Sequence, residues 1–303
     1  MTKEPILIIG TGALATLFAA RLAEHGHDIT MLGTWEAGLE ALGREGARLV
    51  DSAGRAHAFR VHATSDPREV PASKYALVLV KSWQTERVAR RLTKCLAETG
   101  LAITLQNGLG NDEILARSLG RERVAVGVTT TGATLLGPGL VRPGGEGVIS
   151  LEAHPRMGVM EPALKDAGFS VEVVADARSL VWGKLVVNAA INPLTALLRI
   201  PNGELLNRPA ARLVMKALAN EAAAVASAQR VRLPFTDPLQ AAETVARKTA
   251  ANYSSMFQDV RRGAPTEIDA ICGAVARNGK KTGIPTPVNH VCWQLVQAMV
   301  PGA

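Results

Sequence analysis

Ile6-Leu7-Ile8-Ile9-Gly10-Thr11-Gly12-Ala13-Leu14-Ala15, carried on to Gly26-His27-Asp28-Ile29-Thr30-Met31-Leu32, decides how this chain is read. Four apolar residues predict a buried strand. G-x-G-x-x-A then opens a helical pattern that runs through Leu22, and a second strand follows from Asp28. Gly10 permits the tight strand-to-helix bend. Gly12 lets a pyrophosphate approach the backbone with no Cβ in the way, and Ala15 is small enough for the helix to pack on the strand. Thr11, Ala13 and Leu14 complete the turn. The helix start offers free N–H groups and the positive end of its dipole to an anion, so a dinucleotide is expected there. A glycine turn alone could be structural. Its place between two strands at the right distance favours the ligand.

Outward from this unit, apolar strand signals recur at Ala76–Val80, Ala102–Leu105 and Val124–Val128, separated by helix-length segments. Val148–Leu151 and Ser170–Val174 follow. That alternation predicts a mostly parallel sheet buried on both faces, hence an α/β Rossmann domain over residues 1–175. From about Asp176 strand signals vanish. Long Ala/Leu/Val-rich patterns over Ala177–Leu198, Ala210–Gln229 and Pro238–Asn252 predict an all-α domain over residues 176–303. The Gly/Pro-rich stretch from Gly137 to Gly147 reads as a loop between late strands.

The end of the second strand should announce which nicotinamide cofactor binds. It reads Met31-Leu32-Gly33-Thr34-Trp35, with neither the carboxylate that grips a ribose diol nor the Arg that grips a 2′-phosphate. Thr34 can offer one hydrogen bond, and Trp35 can lie against the adenine. Lys81, at the end of another parallel strand, adds positive charge. The absence of a carboxylate favours NADP(H) over NAD(H).

Composition narrows the function classes. The chain has 303 residues, 47% hydrophobic and 20% charged, with a net charge of +7. Its basic residues are spread along the chain, and aromatics are only 4%. A basic, aromatic-interleaved nucleic-acid surface is therefore not expected. The charge suits small anionic ligands. Three cysteines form no C-x-x-C pair and six histidines show no metal-ligand spacing, so reduced thiols and no metal are expected. The chain passes from Met-Thr-Lys-Glu-Pro directly into a strand, with no leader signal. No apolar run approaches a membrane span. A soluble cytoplasmic protein without a membrane partner is expected. The Ala-rich patterns can pack internally or against a second subunit, which leaves a homodimer open.

Chemistry is concentrated in the second half. Leu180 to Leu194 is apolar nearly all round, interrupted by Lys184, Asn188 and Asn192. Their i, i+4, i+8 spacing forms one stripe on a helix. A solvated face would be wider and would carry carboxylates, so the stripe is expected to line a cleft. A lysine there can lose basicity by desolvation and serve as a general acid. Pro193 is expected to break or kink the helix just after Asn192. A second polar cluster holds Asn252, Ser255 and Asp259 at helical spacing, then Thr266-Glu267-Ile268-Asp269, with Glu267 near a helix start. Two helix caps and a salt bridge would explain that cluster equally well.

Taken in order, these segments resemble the ketopantoate reductase family. The resemblance runs from Gly10 to about Pro287 and rests on several quoted pieces. They are Gly10-Thr11-Gly12-Ala13-Leu14, Val80-Lys81-Ser82-Trp83-Gln84, Leu105-Gln106-Asn107-Gly108-Leu109-Gly110, Lys184 to Ala196, Pro201-Asn202-Gly203-Glu204-Leu205, Ser254 to Val260 and Thr266 to Asp269. The resemblance implies a Rossmann domain and a helical domain with the active site between them. It implies NADPH-dependent reduction of a small 2-oxo acid, ketopantoate, to pantoate on the way to pantothenate and coenzyme A. Lys184 matches the family's proton donor. Asn107, Asn188, Asn192, Asn202 and Ser255 match substrate-contacting positions. Glu267 matches a carboxylate near both substrate and nicotinamide ribose, with Asn107 likewise on both sides. Lys81 matches a cofactor-side lysine. Ala133, in a Thr-Thr-Thr-Gly-Ala turn, matches a backbone contact to the cofactor. Many members carry Arg where Thr34 stands here, which puts relaxed cofactor use in play. A paralogue acting on another 2-oxo acid or an imine, and a non-catalytic NADP-binding sensor, remain alternatives.

Overall fold

The structure is a computed structural model that describes residues 4–300. Residues 1–3, read above as free of a leader signal, lie outside them. The chain forms two compact units. The first runs to Val80 and resumes over Gln84–Gln106 and Asn111–Ala177. The second joins the short segments Lys81–Trp83 and Asn107–Gly110 to the described residues from Arg178 onward.

The first unit begins β1 (Ile6–Ile9), α1 (Ala13–Glu24), β2 (Ile29–Leu32), α2 (Glu36–Glu45), β3 (Ala47–Val50), β4 (Ala56–Phe59), β5 (His62–Thr64) and β6 (Ser73–Val78). It continues α3 (Thr85–Leu92), β7 (Leu96–Thr104), α4 (Asn111–Leu119), β8 (Val124–Thr129), β9 (Ala133–Gly137), β10 (Leu140–Pro143), β11 (Val148–Glu152), α5 (Met160–Asp166) and β12 (Ser170–Val174). Eight strands form one sheet in the order β12-β11-β8-β7-β6-β1-β2-β5, parallel except where β11 meets β8. The alternation of β1 sends its side chains to opposite faces. Ile6 and Ile8 join Phe18, Leu22, Leu77 and Ile103 on one side. Leu7 and Ile9 join Val78, Val88, Leu92 and Leu115 on the other. A sheet buried on both faces needs runs that are apolar throughout, and β1 and β2 are buried at every position.

Five strands escape a reading built on apolar runs: β5, at the edge of the large sheet, and four others. A second sheet has the order β4-β3-β10-β9 and packs on α1. β4 is largely exposed and reads Ala-His-Ala-Phe, with no apolar run to mark it. The stretch expected to be a loop from Gly137 contains a hairpin instead. Pro138 and Gly139 turn β9 back onto antiparallel β10, with Gly139 at φ 64°. Ala133 accordingly opens a strand opposite Pro143 rather than sitting in a turn.

The second unit is helical: α6 (Arg178–Leu198), α7 (Pro209–Ala228), α8 (Pro238–Lys248), α9 (Ser255–Arg261), a π-turn over Asp269–Gly273, α10 (Ala274–Thr282) and α11 (Pro287–Met299). The helix α6 runs through Pro193 without a break, so of the break or kink expected there the break does not occur. A proline has no N–H, so the carbonyl four residues back, on Ala189, lacks its ordinary donor. The Cys272 thiol lies 4.0 Å from that oxygen. The helix ends at Arg199, which takes the left-handed conformation at φ 56°, with Ile200 N–H bonded to Thr195 O. By length and composition α6 could span a membrane, contrary to the expectation that no apolar run approaches one, but 67% of its most apolar window is buried. It is the core helix of its unit, with Trp182, Leu185, Val186, Ala189 and Ala190 packed among Met215, Leu218 and Ala222.

Candidate active site

In the second unit the polar stripe of α6 is not a solvated face. No residue from Ser179 to Leu197 is exposed, and Asn192 is 8% exposed. Lys184 and Asn188 are half-buried on the same line. What gathers around Lys184 is set by two segments that follow β6 and β7 in the chain, the places where doubly wound sheets present ligand-binding loops. Asn107-Gly108-Leu109-Gly110 is laid against the π-turn, with Leu109 N–H bonded to Ala270 O at 3.0 Å. Gly108 sits at φ 85°, and a Cβ there would lie 2.5 Å from Ala270 O. Only glycine fits that approach, and the approach brings Asn107 to Glu267. A π-turn at such a place is a frequent companion of function.

Glu267 is the hub. It is 5% exposed. Its Oε1 accepts the Ser82 backbone N–H at 3.1 Å, and its Oε2 accepts Asn107 Nδ2 at 3.1 Å. Lys81 Nζ lies 3.8 Å from Oε2 and donates to Asp259 Oδ2 at 2.6 Å. Asp259 is buried, and its other oxygen accepts Arg262 Nη2 at 2.8 Å. The two lysines are pushed in opposite directions. Burial works against the charge on Lys81, but Glu267 and Asp259 outweigh it and hold the ammonium above the ordinary lysine value. Burial lowers Lys184 from 10.5 to about 8, with only Glu267 pulling back. Lys81 is thus a fixed cation and Lys184 one that exchanges its proton near neutral pH.

The remaining expected residues are placed as follows. Asn202 is 7% exposed, donates to Thr249 Oγ1 at 2.9 Å, and leaves its own Oδ1 buried without a partner. Its backbone N–H bonds Asn252 O. Ser255 is exposed on the first turn of α9. Its neighbour Ser254 is the buried cap, accepting Phe257 N–H at 3.1 Å and lying 2.7 Å from Thr195 Oγ1. Asn252 precedes α9, so the expected three-residue stripe with Ser255 and Asp259 is not a single helix face.

In the first unit the glycine turn fits a pyrophosphate. Gly10 has φ 124°, and a Cβ there would come within 3.2 Å of Leu79 O and 3.3 Å of Val80 Cγ1. Gly12 is the exposed N-cap of α1, and a Cβ on it would meet nothing within 4 Å. That open space lies over a first turn that has no capping side chain and no acidic residue, which leaves its N–H groups for an anion. Thr11 is buried, Ala13 and Leu14 are half-buried, and Ala15 packs beneath Gly10. Thr34 and Trp35 are exposed beyond β2.

Family models for "Ketopantoate reductase PanE/ApbA" match residues 6–156, and for its C-terminal part residues 176–300. A curated relative from Archaeoglobus fulgidus named 2-dehydropantoate 2-reductase is 36% identical over 311 residues, covering 100% of both chains. The chain belongs to the ketopantoate reductase family. A solved PanE/ApbA family ketopantoate reductase from Ralstonia eutropha JMP134 aligns with a TM-score of 0.91 at 32% identity, covering 98% of each chain. A D-mandelate dehydrogenase solved with NADH and anilino(oxo)acetate aligns with the same TM-score, 0.91, at 24% identity over 98% of each chain, a likeness of fold alone.

Two elements of the site lay outside the sequence reading. Asp259 stood in the polar cluster, but nothing in its spacing linked it to Lys81, 178 residues away. The guanidiniums of Arg87 and Arg91, on α3, reach the end of β2. Their i, i+4 spacing was visible, but the strand end they serve was not.

Proposed function

We propose that this chain reduces the 2-oxo group of ketopantoate to the alcohol of pantoate, using NADPH bound across the glycine turn of residues 10–15. The observation that carries the reading is Lys184, a half-buried lysine at about 8 whose proton is steadied by buried Glu267. Relatives named 2-dehydropantoate 2-reductase over the whole chain length support the substrate.

The bound nicotinamide supplies a hydride equivalent. The protein's own part is to meet the charge that develops on the substrate's carbonyl oxygen. Lys184 Nζ hydrogen-bonds that oxygen and gives it a proton, so the alcohol leaves neutral and the lysine is left as the free amine. Glu267 keeps the proton on Lys184 until it is needed. Lys81, locked by Asp259, balances the Glu267 charge without competing to donate. Asn107, Asn188, Asn192, Asn202 and Ser255 are assigned to the substrate's carboxylate and hydroxyl. Holding the reactants in place this way lowers the barrier by several kcal/mol in comparable systems, roughly 7–11 at most. Gly10 to Ala15 and Ala133 are assigned to the cofactor, with Lys81 and Thr34 on its side. The preference for NADP(H) follows from the absence of a carboxylate at Thr34.

Steady-state oxidation of NADPH with ketopantoate, compared with other branched 2-oxo acids, tests this reading. The highest kcat/KM is expected for ketopantoate. A higher value for another 2-oxo acid, or no turnover with any, would overturn it.

A further inference from the structure

In a doubly wound fold the residue at the end of the second strand reads the adenosine ribose. A carboxylate there selects a free 2′-hydroxyl, and a nearby Arg accommodates a 2′-phosphate. Thr34 can do neither by charge. Two cations from a different element reach the strand end, Arg87 at Thr34 and Arg91 at the preceding Gly33. Arg87 and Arg91 lie one turn apart on α3 and so share a face. Arg87 Nη2 donates to Thr34 Oγ1 at 3.0 Å. Arg91 Nη1 donates to Gly33 O at 3.1 Å, and its Nη2 meets Ser65 O. Burial and the neighbouring Arg87 charge both push Arg91 below the ordinary arginine value. Asp66, the acid that also feels Arg91, is itself engaged by Arg68 at 2.6 Å. Arg87 is exposed, and no carboxylate pairs with it among the described residues. Two like charges are therefore held side by side, on backbone and hydroxyl acceptors, at the spot where a phosphate would relieve their repulsion.

We propose that Arg87, backed by Arg91, determines cofactor choice in this chain by gripping the 2′-phosphate of NADP beside Thr34. This inference rests on the dinucleotide reading given above. It explains how NADP specificity survives without an arginine on the second strand. Arg91 is tied to two backbone oxygens and sets the position of the pair, while Arg87 has only a neutral hydroxyl to give up.

The test is binding rather than turnover. NADPH and NADH are titrated into the wild type, Arg87→Ala and Arg87→Lys, each checked for folding by circular dichroism, and the ratio of the two Kd values is read from nicotinamide fluorescence. The wild type is expected to prefer NADPH. Arg87→Ala should reduce that preference by about 10- to 100-fold, the scale of charge-assisted hydrogen bonds. Arg87→Lys should keep part of it, since the charge remains but the planar fork is lost. Added salt should erode the preference of the wild type and not that of Arg87→Ala. A wild type that prefers NADPH with a ratio unchanged in Arg87→Ala overturns the role of Arg87 and leaves the cofactor assignment standing. A wild type with no preference for NADPH overturns both.

Discussion

The ionisation of Lys184 should be visible in the rate. A general acid must carry its proton at the working pH. With a value of about 8, the ammonium form falls from roughly nine-tenths of the population near pH 7 to roughly one-tenth near pH 9. The kcat/KM for ketopantoate should therefore fall about tenfold across that interval. Initial rates at saturating NADPH, collected from roughly pH 6 to pH 10, give the profile. Lys184→Ala should lower kcat/KM by about 10²-fold or more and remove the alkaline limb. Lys184→Arg keeps its charge throughout, so whatever activity it retains should be flat with pH. The same shift has a sign in stability. The folded value lies below the unfolded one, so the unfolded chain holds this proton more tightly. Burying the ammonium costs stability below about pH 8, and the cost fades as pH rises from about 8 toward 10.5. The full drop corresponds to a ceiling of about 3 kcal/mol. Lys184→Ala should then be no less stable than the wild type near neutral pH, apart from lost contacts of the side-chain stem. An alanine variant that keeps turnover within a few-fold of the wild type, or that keeps the same alkaline limb, would refute the assignment of Lys184 as the acid.

Four further variants have expected outcomes. Glu267→Gln removes the charge that opposes the desolvation of Lys184, so the alkaline limb should move to lower pH and kcat/KM should fall by about 10²-fold; a limb that stays put in the pH profile would uncouple the two residues. Gly10→Ala forces a side chain into φ 124° and against Leu79 O, costing about 1–3 kcal/mol in urea denaturation. Gly12→Ala, whose Cβ would stand in open space, should unfold within about 0.5 kcal/mol of the wild type yet bind NADPH at least about tenfold more weakly; equal stability losses in the two variants would contradict the division of labour between these glycines. Phe18→Ala removes a fully buried ring stacked on Phe169 at 4.4 Å and should lower stability by about 3–5 kcal/mol, measured by the shift in denaturation midpoint.

How much could be read in advance followed from what each element buries. The strands β1, β2, β6, β7 and β8 were legible because a sheet covered on both faces needs uninterrupted apolar runs. The small sheet was not. β4 exposes Ala56, His57 and Ala58 to solvent, and β10 ends in Pro143 amid glycines, so composition pointed to a loop where hydrogen bonding makes a hairpin. Pro193 does not end its helix, for a related reason. A proline stops a helix when the freed carbonyl has nowhere to go, and here Cys272 lies beside it from a distant part of the chain. Sequence spacing holds no record of such a neighbour.

The site shows the same boundary more sharply. Lys184, Asn188 and Asn192 could be found because a helix that buries everything else has no other reason to carry them. Their period fixed a face, and that face is half-buried or buried rather than solvated. Spacing could not say which lysine would titrate. Lys81 and Lys184 both lie close enough to Glu267 to feel its charge, and one carboxylate is not enough to offset burial, as Lys184 shows. Lys81 has a second, Asp259, and the two carboxylates together outweigh burial and raise it. Asp259→Asn keeps an acceptor beside Lys81 but removes one of the two charges that raise it, so the Lys81 ammonium should become less basic; an NMR titration of the lysine side chains that finds Lys81 unchanged would contradict this account.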